Sequence, residues 1–173
     1  MESEIWNLMD GDIHKMLMKK AGAFLARRPH SRADLKERLA AFGDQDQVES
    51  VLQLLERLNL LNDAEYAYNF AFCRMKQDAW GGLRIRQSLI LRHVAPDLIE
   101  TALSRVLAEI GERGSLEEYL KRQNQKRGLP TDRKGIQRLV LHLRRRGFND
   151  ELIYSALRRV IQPADWQRFE TGD

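Results

Sequence analysis

Basic side chains crowd one part of this sequence, and their chemistry is the binding of anions. Between residues 121 and 146 there are ten arginines and lysines and a single acid, Asp132. The planar guanidinium group of arginine donates hydrogen bonds in a fork that matches a phosphate or a carboxylate. A solvated helix surface usually carries mixed signs, so this excess predicts an anionic partner. The ten residues are Lys121, Arg122, Lys126, Arg127, Arg133, Lys134, Arg138, Arg144, Arg145 and Arg146.

A second, smaller basic cluster comprises Arg84, Arg86 and Arg92. It lies in a stretch, residues 83–95, that contains no acid. Together the two clusters give thirteen candidate binding residues, whose partner is either a phosphate backbone or an acidic protein surface.

No arrangement of residues predicts catalysis or a bound metal or cofactor. The sequence has neither a phosphate-binding glycine loop nor a nucleophile-elbow motif. Its four histidines lack ligand spacing with acids or with the cysteine. Cys73 is the single cysteine, and its spacing from Tyr66 and Phe70 predicts core packing instead of a reactive thiol. We therefore expect a binding protein, not an enzyme, with no cofactor.

The elements that position the bases repeat along the chain. At an offset of 54, residues 97–106 share six identities with residues 151–160. The same offset pairs Arg84 with Arg138 and Arg92 with Arg146, so two basic positions recur on equivalent helices. A fixed period of this length is typical of tandem helical arrays.

Helix-forming residues dominate the composition, and there are only four prolines. We predict an all-α fold of three tandem three-helix repeats. The predicted organisation is an acidic N-terminal segment at 1–11, repeats at 12–62, 63–111 and 112–162, and a C-terminal tail at 163–173. The third repeat is the basic one.

Residues with short polar side chains predict where several helices begin. Ser31 and Ser115 are each followed three residues later by an acid, which is typical of a helix N-cap. Asn149 or Asp150 is predicted to cap the last helix of the third repeat.

Glycines predict where helices end. Gly43 and Gly147 follow helical stretches at positions that favour a left-handed residue, and His93 takes the place of Gly147 in the second repeat. Gly81 and Gly82 predict a loop between two helices. The alternative reason for this pair is close approach of a partner's backbone.

The sequence contains no apolar run long enough to cross a membrane. The first twelve residues carry four acids and no base, unlike a signal peptide. We therefore predict a soluble cytoplasmic protein without a membrane partner.

Several motifs, in order, resemble the signature of the RecX family of bacterial regulatory proteins. The stretch 60–89 contains an L-N-D turn, an aromatic-rich helix, an arginine, a glycine loop and an R-I-x-x-x-L segment. Residues 31–43 are similar to the family's S-x-x-[ED]-L helix, and residues 143–157 to its C-terminal repeat. The resemblance covers about residues 14–161, and Trp80 stands where glycine is frequent. The signature elements are Leu61, Asn62, Asp63, Tyr66, Phe70, Arg74, Gly81, Gly82, Arg84, Ile85 and Leu89.

The resemblance implies a fold and a function. Family members are elongated, curved arrays of three three-helix repeats that bind the RecA filament and modulate it, usually restraining its ATPase and strand exchange. Their role is in DNA repair, recombination and the SOS response, and the family has no catalytic residues to carry over. The implied partner is the RecA filament. Single- or double-stranded DNA is a second candidate partner through the basic face, and a monomer is expected.

The helical repeats with their basic residues and the family resemblance both predict a protein that acts by occupying a surface. On this hypothesis the basic face docks on acidic RecA surface, on filament DNA, or on both. Replacement of Arg144, Arg145 and Arg146 by alanine is then expected to weaken binding with little loss of fold.

Two alternatives stay open. The first is a helix-turn-helix transcription factor. It is disfavoured in the first repeat because the would-be recognition helix, 48–58, carries Glu49 and Glu56 with Arg57 as its one base. The second is a helical scaffold for an acidic protein, without DNA.

Overall fold

The computed structural model describes residues 2–171, with side chains from Gly11 onward except those of Arg168 and Glu170. The described residues contain helices and no strand, which confirms the predicted all-α fold. None of the described helices has the length and hydropathy of a membrane span. The helices are α1 Glu2–Leu25, α2 Arg32–Leu39, α3 Gln45–Arg57, α4 Asp63–Lys76, α5 Gly82–Ile90, α6 Pro96–Glu109, α7 Glu112–Arg127, α8 Arg133–Arg145, α9 Asp150–Val160 and α10 Pro163–Thr171.

The chain forms two compact units. Unit 1 comprises the residues up to Ala67 together with Leu89–Ile99, and unit 2 comprises Tyr68–Ser88 together with the residues from Glu100 onward. Helices α4, α5 and α6 therefore contribute to both units. The division of the sequence into three repeats remains a prediction.

The core of unit 1 is built by the apolar faces of α1, α2 and α3. Leu35 and Leu39 are fully buried, as their i, i+4 spacing predicts. On α3 the residues Val51, Leu52 and Leu55 are buried, but Leu58 is 54% exposed because the helix ends at Arg57. Burial of these side chains is the main source of stability in this unit.

The core of unit 2 includes one cluster from α7 to α10. Helix α8 presents Ile136, Val140 and Leu143 to this cluster, and Leu139 is partly buried against it. Trp166 of α10 is also buried there, so the segment predicted as a C-terminal tail contains a helix that packs on the core.

Helix caps agree with the sequence at Ser31 and Asn149. The Ser31 hydroxyl accepts from the Asp34 amide at 3.2 Å, and the Asn149 side chain accepts from the Leu152 amide at 2.8 Å. Both satisfy an N–H group that has no partner within the helix. Helix α6 begins at Pro96, a residue suited to the first turn.

The prediction for Ser115 was wrong. Helix α7 begins three residues earlier, at Glu112, after Gly111, whose φ is +74°. Ser115 is buried within the helix, and its hydroxyl donates to the Met75 carbonyl at 2.6 Å. A contact with a residue 40 positions away therefore accounts for this serine.

Cys73 and Gly43 also differ from expectation. Cys73 is exposed, because the buried face of α4 runs along Ala67, Ala71 and Met75. Gly43 has no positive φ, whereas Gly147 has a φ of +88° and His93 a φ of +54°, as the left-handed positions predict.

Helix α1 begins at Glu2, ten residues before the predicted start at residue 12. The predicted acidic N-terminal segment 1–11 falls largely outside the described side chains, which start at Gly11.

Candidate functional site, a basic cleft in unit 2

Unit 2 contains an open cleft of about 710 Å³, within the size range of ligand sites. Six of its lining side chains are basic and one is acidic. This excess makes it the most direct candidate for an anion-binding site. The lining residues are Arg74, Gln77, Asp78, Trp80, Arg84, Tyr119, Arg122, Gln123, Lys126, His142, Arg145 and Arg146.

One wall of the cleft is formed around Trp80, between α4 and α5. The guanidinium carbon of Arg84 lies 3.9 Å from the centre of the indole ring, and that of Arg74 lies 5.0 Å from it. Arg74 also forms an ion pair with Asp78 at 2.5 Å. Cations over an aromatic face are stabilised by the ring quadrupole, so Trp80 orders both arginines at the cleft.

Helix α7 forms a second wall. Tyr119, Arg122, Gln123 and Lys126 share one helix face through i, i+3, i+4 and i+7 spacing and all line the cleft. Arg122 pairs with Glu118 at 3.0 Å, whereas Lys126 makes no ion pair with any described side chain. This face leaves Lys126 available to an incoming anion.

The end of α8 completes the cleft with His142, Arg145 and Arg146. Burial lowers the pKa of His142, and the nearby charges of Arg146, Arg145 and Arg84 lower it further. The His142 Nε2 atom lies 2.9 Å from Arg146 Nε and 2.9 Å from the Tyr119 hydroxyl. A neutral imidazole with its proton on Nδ1 accepts the Arg146 hydrogen bond at Nε2, in agreement with the lowered pKa.

A close contact between two turns joins these walls. The Gly81 amide donates to the Arg146 carbonyl at 2.7 Å, and the Leu83 amide donates to the Gly147 carbonyl at 3.3 Å. A Cβ atom on Gly81 would lie 2.5 Å from the Phe148 nitrogen, and one on Gly147 would lie 2.5 Å from the Arg84 Cβ. The sequence alternatives for Gly81–Gly82 were a loop and close approach of a partner's backbone. The structure shows close approach at Gly81, by backbone of this same chain.

The side chain of Arg146 also binds across the contact between the two turns. Its Nη1 donates to the Asp78 carbonyl and, at 3.4 Å, to the Ala79 carbonyl, and its guanidinium lies 4.5 Å from the Tyr119 ring centre. The expectation that alanine here costs little stability is therefore revised. Removal of Arg146 would leave backbone acceptors without their donor.

The neighbouring arginines have different surroundings. Arg144 binds Asp150 through two hydrogen bonds of 2.6 and 2.8 Å and lies outside the cleft lining. Arg145 is exposed, lines the cleft and makes no ion pair with any side chain in the described part of the chain. Of the three, Arg145 is the one best placed to contact a partner.

The cleft thus brings together five of the thirteen predicted residues: Arg84, Arg122, Lys126, Arg145 and Arg146. Arg92 belongs to unit 1, and Arg86 is engaged by Glu100 at 2.6 and 2.8 Å. Arg138, the repeat equivalent of Arg84, donates to the Lys134 carbonyl of its own helix. The predicted residues outside the lining are Arg86, Arg92, Lys121, Arg127, Arg133, Lys134, Arg138 and Arg144.

Arg74, Trp80, Tyr119 and His142 line the cleft but are not among the thirteen candidate residues. Tyr119 was detectable, because it shares a helix face with Arg122 and Lys126. His142 likewise precedes Arg145 and Arg146 by three and four positions. Arg74 is an element of the family signature, and no local signal marks Trp80 as a site residue. Among the described residues, no group of histidine, cysteine and acidic side chains could hold a metal ion.

The sequence of this chain is similar to a family model and to known proteins. The family model described as RecX, second three-helix domain, matches residues 62–103. The chain is 30% identical over 155 residues to regulatory protein RecX of Prosthecochloris aestuarii, covering 89% of this chain and 99% of that protein. It is 32% identical to regulatory protein RecX of Leptothrix cholodnii, covering 82% and 87%.

The fold is also similar to that of solved structures. The crystal structure of RecX from Lactobacillus salivarius superposes with a TM-score of 0.69, covering 87% of this chain and 97% of that one, at 18% identity. This likeness concerns the fold, and membership rests on the sequence relatives. With a family model matched in the second repeat and two relatives at 30% identity or more over most of their length, this chain belongs to the RecX family of regulatory proteins.

Proposed function

We propose that this protein binds the RecA–DNA filament and modulates it, restraining RecA ATPase, recombinase activity and filament extension. The observation that carries the proposal is the cleft of unit 2, with six basic side chains against one acid. Membership of a regulatory family supports it. We place this activity in the cytoplasm, in a monomer that acts by binding and without catalysis.

The mechanism that we propose is occupation of an anionic surface of the filament. The cations of the cleft wall are held by Trp80 and Tyr119, so little side-chain freedom is lost when an anion binds. A ligand that binds one filament state better than another shifts the population by its differential affinity. Contact across adjacent RecA subunits would therefore oppose the motions linked to ATP turnover.

Salt should weaken the interaction, since the cleft is open to solvent and its charges are screened over about 8 Å at physiological ionic strength. If phosphates of filament DNA are bound, the logarithm of affinity should fall by about 0.7–0.9 per logarithm of salt for each phosphate neutralised.

The test is ATP hydrolysis by RecA on single-stranded DNA, titrated with this protein below stoichiometry. Inhibition at a small fraction of one protein per RecA supports action on the filament. Inhibition that appears only when the protein coats the DNA indicates competition for the strand. No effect on RecA, together with binding to duplex DNA, refutes the proposal and favours the transcription-factor alternative.

Helix α7 offers a matched pair of variants for the same assay. Arg122→Ala with Lys126→Ala removes two charges that line the cleft. Lys121→Ala with Arg127→Ala removes two exposed charges from the same helix outside the lining. Because hydrogen bonds to charged groups contribute about 1.5–3 kcal/mol each, we expect the cleft pair to raise the half-inhibitory concentration at least about tenfold. Equal effects of the two pairs would show that the cleft has no special part in binding.

A further inference from the structure

A second cavity adjoins the basic cleft. It has a volume of about 300 Å³, lies within unit 2, and shares Gln77, Tyr119 and Arg122 with the cleft lining. The three shared lining residues show that the two cavities are neighbours. We call this second cavity the recess.

The recess differs from the cleft in chemistry. Ala79, Ile110 and Gly114 contribute apolar atoms to its lining, and the Ser115 hydroxyl is directed to the Met75 carbonyl at 2.6 Å. The recess therefore offers an incoming group mainly apolar surface, beside a cleft that offers cations.

Gly114 is an exposed residue in the lining of the recess. It lies within α7, and a Cβ atom built on it meets no heavy atom within 4 Å. A larger side chain at this position would project into space that the chain itself does not fill.

We propose that the cleft and the recess together take an acidic protein segment that carries one bulky apolar side chain. Its carboxylates bind the arginines and Lys126 in the cleft, and its apolar side chain fills the recess. This inference rests on the proposed function, because it names the kind of filament surface that the site contacts. Interfaces of this kind commonly combine a buried apolar anchor with surrounding polar contacts.

Two observations favour a protein segment over a nucleic acid strand. Proteins that bind single strands combine an unbroken basic groove with aromatic rings on which bases stack. Here Arg84 and Arg146 lie over the rings of Trp80 and Tyr119 and compete with bases for them. The lining of the recess adds apolar atoms of Ala79 and Ile110 and the acid Glu118 to the bases Lys76 and Arg122, so it is not a continuous basic groove. A base in that recess would bury polar edges among groups that do not pair with them.

The test uses a labelled peptide with a central phenylalanine flanked on each side by three glutamates, and the same peptide with alanine at the centre. Binding to the full chain is measured by fluorescence anisotropy. The two peptides differ only in the apolar side chain that can be buried in the recess. We therefore expect the phenylalanine peptide to bind at least about tenfold more tightly than the alanine peptide. Equal affinity for the two peptides would overturn the proposal.

The variant Gly114→Leu adds a large side chain to the lining of the recess and is expected to abolish this preference. Leucine is a better helix former than glycine, so the fold should hold, which a thermal melt verifies. Gly22→Leu is the matched control, because Gly22 is an exposed helical glycine of unit 1 with no heavy atom within 4 Å of a built Cβ. A preference that survives in Gly114→Leu would contradict the proposal.

Two further measurements distinguish failure of this inference from failure of the proposed function. An oligothymidylate that displaces the phenylalanine peptide and binds wild type and Gly114→Leu equally would assign the site to nucleic acid and overturn the inference. RecA ATPase assays with wild type test the proposed function by themselves. If Gly114→Leu loses the peptide preference but the wild-type protein does not inhibit RecA, the recess is supported as an apolar binding site and the proposed function is refuted.

Discussion

Replacement of Gly147 by alanine should be among the more damaging single changes in unit 2. Gly147 has a φ of +88°, and a Cβ there would lie 2.5 Å from the Arg84 Cβ. A left-handed backbone costs a residue with a side chain about 1–3 kcal/mol, and overpacking costs typically about 1–3 kcal/mol more. Lower entropy of the unfolded chain offsets about 0.4–1 kcal/mol. We expect the free energy of unfolding to fall by about 1–5 kcal/mol.

Variants of two other glycines separate the contribution of backbone strain from that of crowding. Gly111 has a φ of +74° and nothing within 4 Å of a built Cβ, so Gly111→Ala measures backbone strain alone. Gly81 has no positive φ but faces the 147–148 backbone, so Gly81→Ala measures crowding alone. We expect Gly147→Ala to lose about as much as the two single changes combined.

The assay is urea denaturation followed by circular dichroism and by tryptophan fluorescence. All three glycines lie in unit 2, so their variants report on the same structure. If Gly147→Ala is no more destabilised than Gly111→Ala, the close contact between the two turns does not contribute to stability, and the reasoning fails.

Three other predictions concern single side chains. Arg146→Ala should lower the free energy of unfolding by about 1–3 kcal/mol, because the Asp78 carbonyl loses a donor. Arg144→Ala should lower it less, since the ion pair of Arg144 with Asp150 is exposed, and thermal melts compare the two variants. The pKa of His142 is lowered in the folded protein, so the unfolded chain binds the proton of this histidine first as pH falls below about 6.5. The free energy of unfolding should therefore decrease between a pH of about 6.5 and the pKa of the folded state. The variant His142→Gln should remove this part of the pH dependence in urea denaturation. Exposed Cys73 should react with a thiol reagent in the native protein, and protection until unfolding would contradict its placement.

The sequence predicted those features that depend on nearby residues. The offset of 54 placed His93 opposite Gly147, and both have positive φ. The spacing of Leu35 and Leu39 predicted a buried face. Helix periodicity and capping are local properties of the chain, so one sequence is sufficient to detect them.

Features that depend on distant contacts were not predictable. Ser115 has the spacing of a capping residue, but a carbonyl 40 positions earlier binds it. On α4 the sequence favoured Tyr66, Phe70 and Cys73 as the inner face. Tyr66 is buried and Phe70 partly buried, but Cys73 is exposed, and the fully buried residues include the small Ala67 and Ala71. Small side chains permit close helix packing but contribute a weak hydrophobic signal.

The sequence predicted the positive charge of the cleft but not which residues line it. The excess of bases at 121–146 indicated an anion-binding surface. Which of them lie together depends on the contact between the Gly81 and Gly147 turns, which no local pattern specifies.

The contact between these turns also determines when the cleft can form during synthesis. Arg146 and its acceptor at Asp78 are 68 positions apart, and at about 5–20 residues per second a ribosome needs roughly 3–14 s to make the chain between them. For that time the residues around Trp80 lack the backbone partners that hold them in the folded protein. Because long loops close late, the cleft should be among the last parts of the molecule to assemble. A nascent chain that stops before residue 146 would carry folded helices and no cleft.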